Sequence, residues 1–257
     1  MGQAEEISIM SPGEIFVWEV LGTAVLILLG TGVVANHLLR NTNGHGGGPL
    51  FINVGWGFAV FTGASLAAPT GAHLNPAVTL GLAVAGKVSW GLVPVYVVAQ
   101  LIGAIIGAML CWATYKLQFD RHDAPQNTLG VFSTAPQIRG YAWNLVSEII
   151  GTFVLLAFIL FSPGYKAGTD GIPQFGNGAL GYAAVAFVVL VIGTSLGGPT
   201  GYAINPARDL GPRIAYAFLM PIRGKGDADW AYSWVPVVGP LIGGTLAGLL
   251  YLALPAQ

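Results

Sequence analysis

Long apolar stretches, each holding at most one charged residue, alternate with short polar connections along the chain. An α-helix needs about 20 apolar residues to cross the ~30 Å hydrocarbon core of a bilayer. The pattern therefore predicts six membrane spans, at about 15–36, 51–67, 88–114, 145–162, 179–196 and 234–254. A Gly- and Pro-rich stretch at 163–178 predicts a loop. We expect an all-α integral membrane protein.

One tripeptide, Asn-Pro-Ala, occurs twice, at Asn75-Pro76-Ala77 and at Asn205-Pro206-Ala207. Asn is a preferred helix N-cap, and Pro is well suited to the first helical position, so each copy predicts a helix start. The apolar run after the first copy lasts only about ten residues, to Gly86. At ~1.5 Å per residue it spans about half of the bilayer. The sequence thus predicts two re-entrant half-helices in addition to the six spans.

The two halves of the chain repeat each other about 130 residues apart. Glu-Val-Leu-Gly-Thr at 19–23 matches Glu-Ile-Ile-Gly-Thr at 148–152, and each half contains one Asn-Pro-Ala. Three spans per copy is an odd number, so the second copy enters the membrane inverted. We expect one membrane domain over 1–257, with repeats at about 14–116 and 141–255 and about ten additional residues within 211–230.

Composition narrows the function classes further. Hydrophobic residues make up 54% of the chain and charged residues 8%, and the net charge of −1 gives no basic surface for nucleic acid. The sequence has no Gly-rich phosphate loop, no Cys/His spacing for a metal and no nucleophile beside a plausible base. We therefore expect a protein that is not an enzyme and that needs no metal or cofactor.

Two Asn-Pro-Ala motifs, each ending a Gly-rich loop within a six-span chain, resemble the signature of the major intrinsic protein family, the aquaporins and glycerol facilitators. Asp209, directly after Arg208, resembles the glycerol-conducting branch. The resemblance covers nearly the whole chain. It implies a homotetramer with one pore per subunit that passively conducts glycerol, similar small polyols and water, and that excludes ions and protons.

The resemblance also implies which residues line the pore. Asn75 and Asn205 would meet at its middle with their amide groups toward the channel. The narrowest ring would consist of Trp56, Gly193, Tyr202 and Arg208. Strict spacing from the first motif selects Gly55 instead of Trp56, whereas the local pattern favours Trp56. The missing side chain of Gly193 is expected to leave room for a carbon backbone, where water-only members typically have a His.

Four further residues are expected to brace the pore loops. Glu19 and Glu148 occupy equivalent positions, and each carboxylate is expected to accept hydrogen bonds from the backbone of one half-helix loop. A proton relay through them is the alternative. His73 and Asp209 are expected to brace the loops beside the two motifs.

Rival functions remain open at this point: a strict water channel, a proton-coupled transporter or a non-conducting structural protein.

The resemblance implies that the protein lies in the plasma membrane with cytoplasmic termini. The basic residues do not support that orientation, because only Lys87 and Lys166 would then lie inside. The outer side or the pore would hold Arg40, Lys116, Arg121, Arg139, Arg208, Arg213, Arg223 and Lys225.

Overall fold

The computed structural model describes residues 10–162 and 179–254, and the side chains of 179 and 180 are left out of the description. The α-helices of these residues are α1 (Pro12–Leu38), α2 (Gly48–Leu66), α3 (Pro76–Val84), α4 (Val93–Thr114), α5 (Lys116–Asp120), α6 (Leu129–Phe132), α7 (Tyr141–Phe161), α8 (Ala179–Leu196), α9 (Pro206–Ile214) and α10 (Val235–Ala253). Helices α1, α2, α4, α7 and α10 are long and apolar enough to cross a membrane, and the apolar part of α8 described is Gly181–Leu196. The predicted all-α membrane fold is confirmed; the predicted loop at 163–178 lies outside the described residues.

Helices α3 and α9 are the two half-helices that the sequence predicts. Each has nine residues, and at ~1.5 Å per residue each is about half as long as a span. Asn75 caps α3 by accepting from the Ala77 N–H at 2.9 Å, and Asn205 caps α9 by accepting from the Ala207 N–H at 3.0 Å. Helix α9 continues into one π-helical turn, Ala215–Leu219.

Glycines let the helices approach one another to backbone contact. A Cβ atom added to Gly103 of α4 would lie 2.5 Å from the Val20 carbonyl of α1. One added to Gly244 of α10 would lie 2.6 Å from the Ala77 carbonyl of α3. Similar close approaches occur at Gly107, Gly239, Gly243 and Gly248. These contacts use the small-xxx-small spacing that membrane helices favour.

The distribution of polarity is that of a protein whose outer surface meets lipid. Phe58 and Phe187 are 62% and 64% exposed, and Trp90 and Trp143, near helix ends, are also largely exposed. Aromatic residues at such positions are typical of the membrane–water interface. The buried interior instead holds charged side chains, Glu19, Glu148, Asp209 and Arg213. A buried charge is costly unless it is paired or hydrogen-bonded, so these residues mark the organised centre of the molecule.

The additional residues of the second half lie between α9 and α10. This segment packs on the connection between α4 and α7: the Arg139 guanidinium donates to Asp229 Oδ1 at 3.0 Å, and a Cβ on Gly226 would collide with the Gln126 carbonyl. Arg213 Nη1 donates to the Ala228 carbonyl at 2.6 Å. The segment is therefore bound to α9 itself.

Candidate functional site: the junction of the two half-helices

The starts of α3 and α9 meet through their capping asparagines. Asn75 Nδ2 donates to the Ile204 carbonyl at 2.8 Å, and Asn205 Nδ2 donates to the Leu74 carbonyl at 2.9 Å. Each asparagine thus binds its own helix through oxygen and the opposite loop through one N–H. The expectation that both N–H groups face the channel is corrected, because one hydrogen of each amide joins the two loops. The second hydrogen of each is left for the cavity that both residues line.

The backbone before each asparagine is strained in the same way. Ala72 and Leu74 have φ values of 53° and 51°, and Tyr202 and Ile204 have 39° and 43°. A non-glycine residue in this region costs about 1–3 kcal/mol unless its surroundings hold it there. The conformation turns consecutive N–H groups toward one acceptor, and that acceptor is a buried glutamate in each half.

Glu19 and Glu148 are those acceptors. Glu19 accepts from the His73 N–H at 3.0 Å and the Leu74 N–H at 2.8 Å. Glu148 accepts from the Ala203 N–H at 3.0 Å and the Ile204 N–H at 2.8 Å. A threonine hydroxyl adds a bond of 2.7 Å in each half, from Thr70 and from Thr200. The structure therefore places both glutamates where the bracing role requires them.

The carbonyl groups of the same loops remain available. Among the described residues, the carbonyls of Ala72, His73, Tyr202 and Ala203 have no hydrogen-bond partner, while all four residues line the cavity. Each loop thus offers acceptors to the cavity because its N–H groups are occupied by a glutamate.

Side chains from a distant span support the first loop. His73 Nδ1 lies 3.1 Å from Thr79 Oγ1, and its ring stacks on Tyr96 with centroids 4.1 Å apart. Gln100 Nε2 donates to both Glu19 at 2.9 Å and Thr79 at 3.0 Å. Sequence reasoning found His73 and missed the three partners on α3 and α4. A lone glutamine within an apolar span was the signal that could have found Gln100.

Arg208 projects from the first turn of α9 and is 9% exposed. Its Nη1 donates to the Phe132 carbonyl at 3.3 Å, and its guanidinium carbon lies 4.3 Å from the centroid of the Trp56 ring. The distance is within the range of a cation–π interaction, which gains strength when water is excluded. Arg208 is thus fixed beside Trp56 on the cavity wall.

Asp209 fixes the segment that holds Arg208. Its Oδ2 accepts from both the N–H and the hydroxyl of Thr134 at 2.7 Å, two residues after Phe132. Its Oδ1 accepts from Arg213 Nε at 2.9 Å and lies 2.8 Å from Arg213 Nη2 in a salt bridge, and both side chains are fully buried. These contacts fit the bracing role expected of Asp209, and they include Arg213, which sequence reasoning did not select. A cation one turn after a buried aspartate is the i,i+4 signal that could have found it.

The structure distinguishes the two candidates on α2. Trp56 lines the cavity and packs on Gly30, where a Cβ atom would collide with its ring. Gly55 faces α1, where a Cβ atom would lie 2.5 Å from the Val33 side chain. Trp56 is therefore the residue of this pair that reaches the candidate pore.

Tyr202 lines the cavity, but Gly193 lies behind it. Gly193 is buried, and a Cβ atom on it would lie 2.6 Å from Tyr202 Cζ and 2.9 Å from its hydroxyl oxygen. The expectation that Gly193 leaves open room for a solute is corrected, because the Tyr202 ring fills that room. Gly193 thus borders the candidate filter through its contact with the Tyr202 ring.

The cavity between these groups has a volume of about 580 Å³. Besides the two asparagines, its lining includes His73, Leu82, Phe158, Trp56, Tyr202 and Arg208. It combines N–H donors, free carbonyl acceptors and apolar walls, and thereby suits a small molecule with hydroxyl groups on a carbon chain. Within residues 10–162 and 179–254, no group of three or more His, Cys, Asp or Glu side chains could hold a metal ion.

Comparisons with known proteins agree with this architecture. A model of the major intrinsic protein family matches residues 7–251. The probable glycerol uptake facilitator protein of Thermotoga maritima is 50% identical over 238 residues, which are 92% of this chain and 97% of the relative. Glycerol uptake facilitator protein 3 of Lactiplantibacillus plantarum is 51% identical, with 92% and 95% of the two chains covered.

A solved structure is also similar to this chain in its three-dimensional fold. The X-ray structure of the aquaglyceroporin from Plasmodium falciparum superimposes with a TM-score of 0.76 at 32% identity, covering 94% of this chain and 96% of that one. The match to the family model spans nearly all of the sequence, and the repeat with its two half-helices is present in the fold. The chain belongs to the major intrinsic protein family.

Proposed function

We propose that the chain is a passive channel for glycerol and similar small uncharged solutes, and for water. The observation that carries the proposal is the cavity at the half-helix starts, which is lined by loop residues with free carbonyls, by two asparagines and by apolar side chains. The names of the two bacterial relatives and of the solved structure point to the same solute.

Selection would take place at Trp56, Tyr202 and Arg208. The two aromatic side chains form an apolar corner for the carbon chain of glycerol, and the Arg208 guanidinium supplies donors for its hydroxyls. Gly193 contributes from behind Tyr202. Solutes that lack hydroxyls would leave the donors unpaired, and solutes with longer branches would not fit the corner.

Ions and protons would be excluded by the same groups. The N-terminal ends of α3 and α9 meet at Asn75 and Asn205, and both carry the positive end of a helix dipole. Arg208 adds a full positive charge near the constriction. A cation would meet this positive potential after losing its water, and the asparagine donors would interrupt a chain of hydrogen-bonded water.

Membership of the family supports an inference about location, domain organisation and oligomeric state. We infer a multi-pass protein of the plasma membrane with cytoplasmic termini, a single domain of two repeats at about 14–116 and 141–255, and a homotetramer with one pore per subunit. The protein would carry out no enzymatic reaction and bind no cofactor.

Stopped-flow measurements on proteoliposomes test the proposal. Purified protein is reconstituted, and the vesicles are challenged with gradients of glycerol, urea, erythritol and an impermeant osmolyte. We expect glycerol permeability well above that of empty vesicles. Fast water flow without glycerol flow would favour the strict water channel, and absence of any flow would favour a structural protein.

A further inference from the structure

Asn53 is a buried polar residue of α2 that lies outside the cavity lining. It is 5% exposed and lies one helical turn before Trp56. Its Oδ1 accepts a hydrogen bond of 2.7 Å from the Tyr202 hydroxyl. An asparagine inside a membrane span is costly unless its polar group has a partner, and here the partner is a residue of the candidate filter.

The ring of Tyr202 is confined on the side away from the cavity. A Cβ atom on Gly197 would lie 2.5 Å from Tyr202 Cδ1, and one on Gly193 would lie 2.6 Å from Tyr202 Cζ. The ring therefore lies along Gly193 of α8 and Gly197, which directly follows the end of α8, and its hydroxyl is directed to Asn53. Because α8 blocks one side and Tyr202 lines the cavity, a ring that leaves this position can enter the cavity.

We propose that Asn53 is a positioning residue that sets the width of the filter by holding the Tyr202 ring against α8. The hydrogen bond satisfies the phenol hydroxyl away from the pore, so that Tyr202 presents carbon to a passing solute. It also connects Tyr202 to the helix that carries Trp56, which fixes the spacing of the two aromatic walls. This inference rests on the proposed function, because it assigns Tyr202 to the filter of a solute channel.

Asn53→Leu tests the proposal, since leucine has a similar volume and no acceptor. Without the Asn53 acceptor, the Tyr202 hydroxyl would hydrogen-bond to water in the pore, and the Tyr202 ring would rotate into the pore. Erythritol and water permeability are measured by stopped-flow light scattering. We expect the ratio of erythritol to water permeability to fall about three- to tenfold, because the free energy of one net hydrogen bond corresponds to a factor of about this size. Thr62→Val, which removes a hydroxyl bonded within the same helix, serves as the control and should leave the ratio within about twofold.

The double variant Asn53→Leu/Tyr202→Phe separates positioning from a general effect on packing. With both polar partners gone, the ring has no hydroxyl to satisfy and should stay against α8. We expect its erythritol-to-water ratio to lie within about twofold of that of Tyr202→Phe, because Asn53→Leu should have little effect once the hydroxyl is absent. If Asn53→Leu alone does not fold, the comparison of the double variant with Tyr202→Phe still gives the test.

An unchanged ratio in folded Asn53→Leu would overturn the inference, and so would a folded double variant whose ratio falls below that of Tyr202→Phe by the same factor. The parent protein tests the proposed function separately. A parent that conducts no glycerol contradicts the channel itself, whereas a conducting parent with an unaffected Asn53→Leu contradicts only the role of Asn53.

Discussion

Removing the carboxylate of Glu148 should destabilise the second half-helix loop and, with it, the whole fold. Glu148 Oε1 accepts from the Thr200 hydroxyl and the Ala203 N–H, and Oε2 accepts from the Ile204 N–H. In Glu148→Ala all three donors lose their acceptor. One buried donor without a partner costs about 1–3 kcal/mol, so the three together set a range of roughly 3–9 kcal/mol.

That range is a large share of the total stability of a typical domain, about 5–15 kcal/mol. It leaves out the strain at Tyr202 and Ile204, whose positive φ values persist only while the loop is held. Glu148→Gln is a graded version of the same change. Its amide oxygen can replace Oε1, but its NH₂ group then faces the Ile204 N–H, which costs about 1–3 kcal/mol for one unsatisfied donor.

The assay is thermal unfolding of the detergent-solubilised protein, followed by the amount that remains monodisperse after heating. We expect the alanine variant to be poorly folded and the glutamine variant to unfold at an intermediate temperature. Asp123→Asn is the matched control, because Asp123 pairs with Arg40 at an exposed site where a salt bridge contributes about 0–1 kcal/mol. A folded, stable Glu148→Ala with intact water flow and an altered pH dependence would refute the bracing role and favour a proton site.

Three further changes test other parts of the site. Gly193→His should displace the Tyr202 ring into the pore and cut glycerol permeability sharply while water permeability stays of similar order; a folded variant that conducts glycerol like the parent would show that Gly193 does not control the constriction. Asp209→Asn should weaken the buried pair with Arg213 and lower the unfolding temperature, with a cost approaching the 3–5 kcal/mol typical of an uncompensated buried charge, and an unchanged melting curve would contradict the bracing role of Asp209. Mercurial reagents should leave glycerol flux nearly unchanged, because Cys111 is fully buried outside the cavity lining; strong inhibition that Cys111→Ser abolishes would show that the pore lies elsewhere.

Local signals in the sequence predicted the elements and several of the site residues. Asn75 and Asn205 could be predicted as helix starts because capping depends on the residue itself and its nearest neighbours. Glu19 and Glu148 could be identified because a carboxylate within an apolar span needs a hydrogen-bond partner. The repeat also showed that each half has such a carboxylate at the equivalent position.

The remaining contacts depend on which distant segments meet, and no local pattern encodes that. Thr134 reaches Asp209 from a connection 75 residues earlier in the chain, and Tyr96 reaches the first loop from α4. The open space beside Gly193 was predicted incorrectly for the same reason. Its lack of a side chain was visible in the sequence, whereas the ring that occupies the space comes from a loop nine residues later and can be placed only by the fold.

The central claim is that glycerol crosses by passive diffusion through the cavity between the half-helices, and one measurement tests it most directly. Glycerol uptake into proteoliposomes that contain a pH-sensitive dye is recorded over a range of glycerol gradients, with and without an imposed pH gradient. The account predicts a flux that is linear in the glycerol gradient, independent of the pH gradient and without acidification of the vesicle interior. A flux that saturates and drives proton movement, or a flux equal to that of empty vesicles, would contradict it.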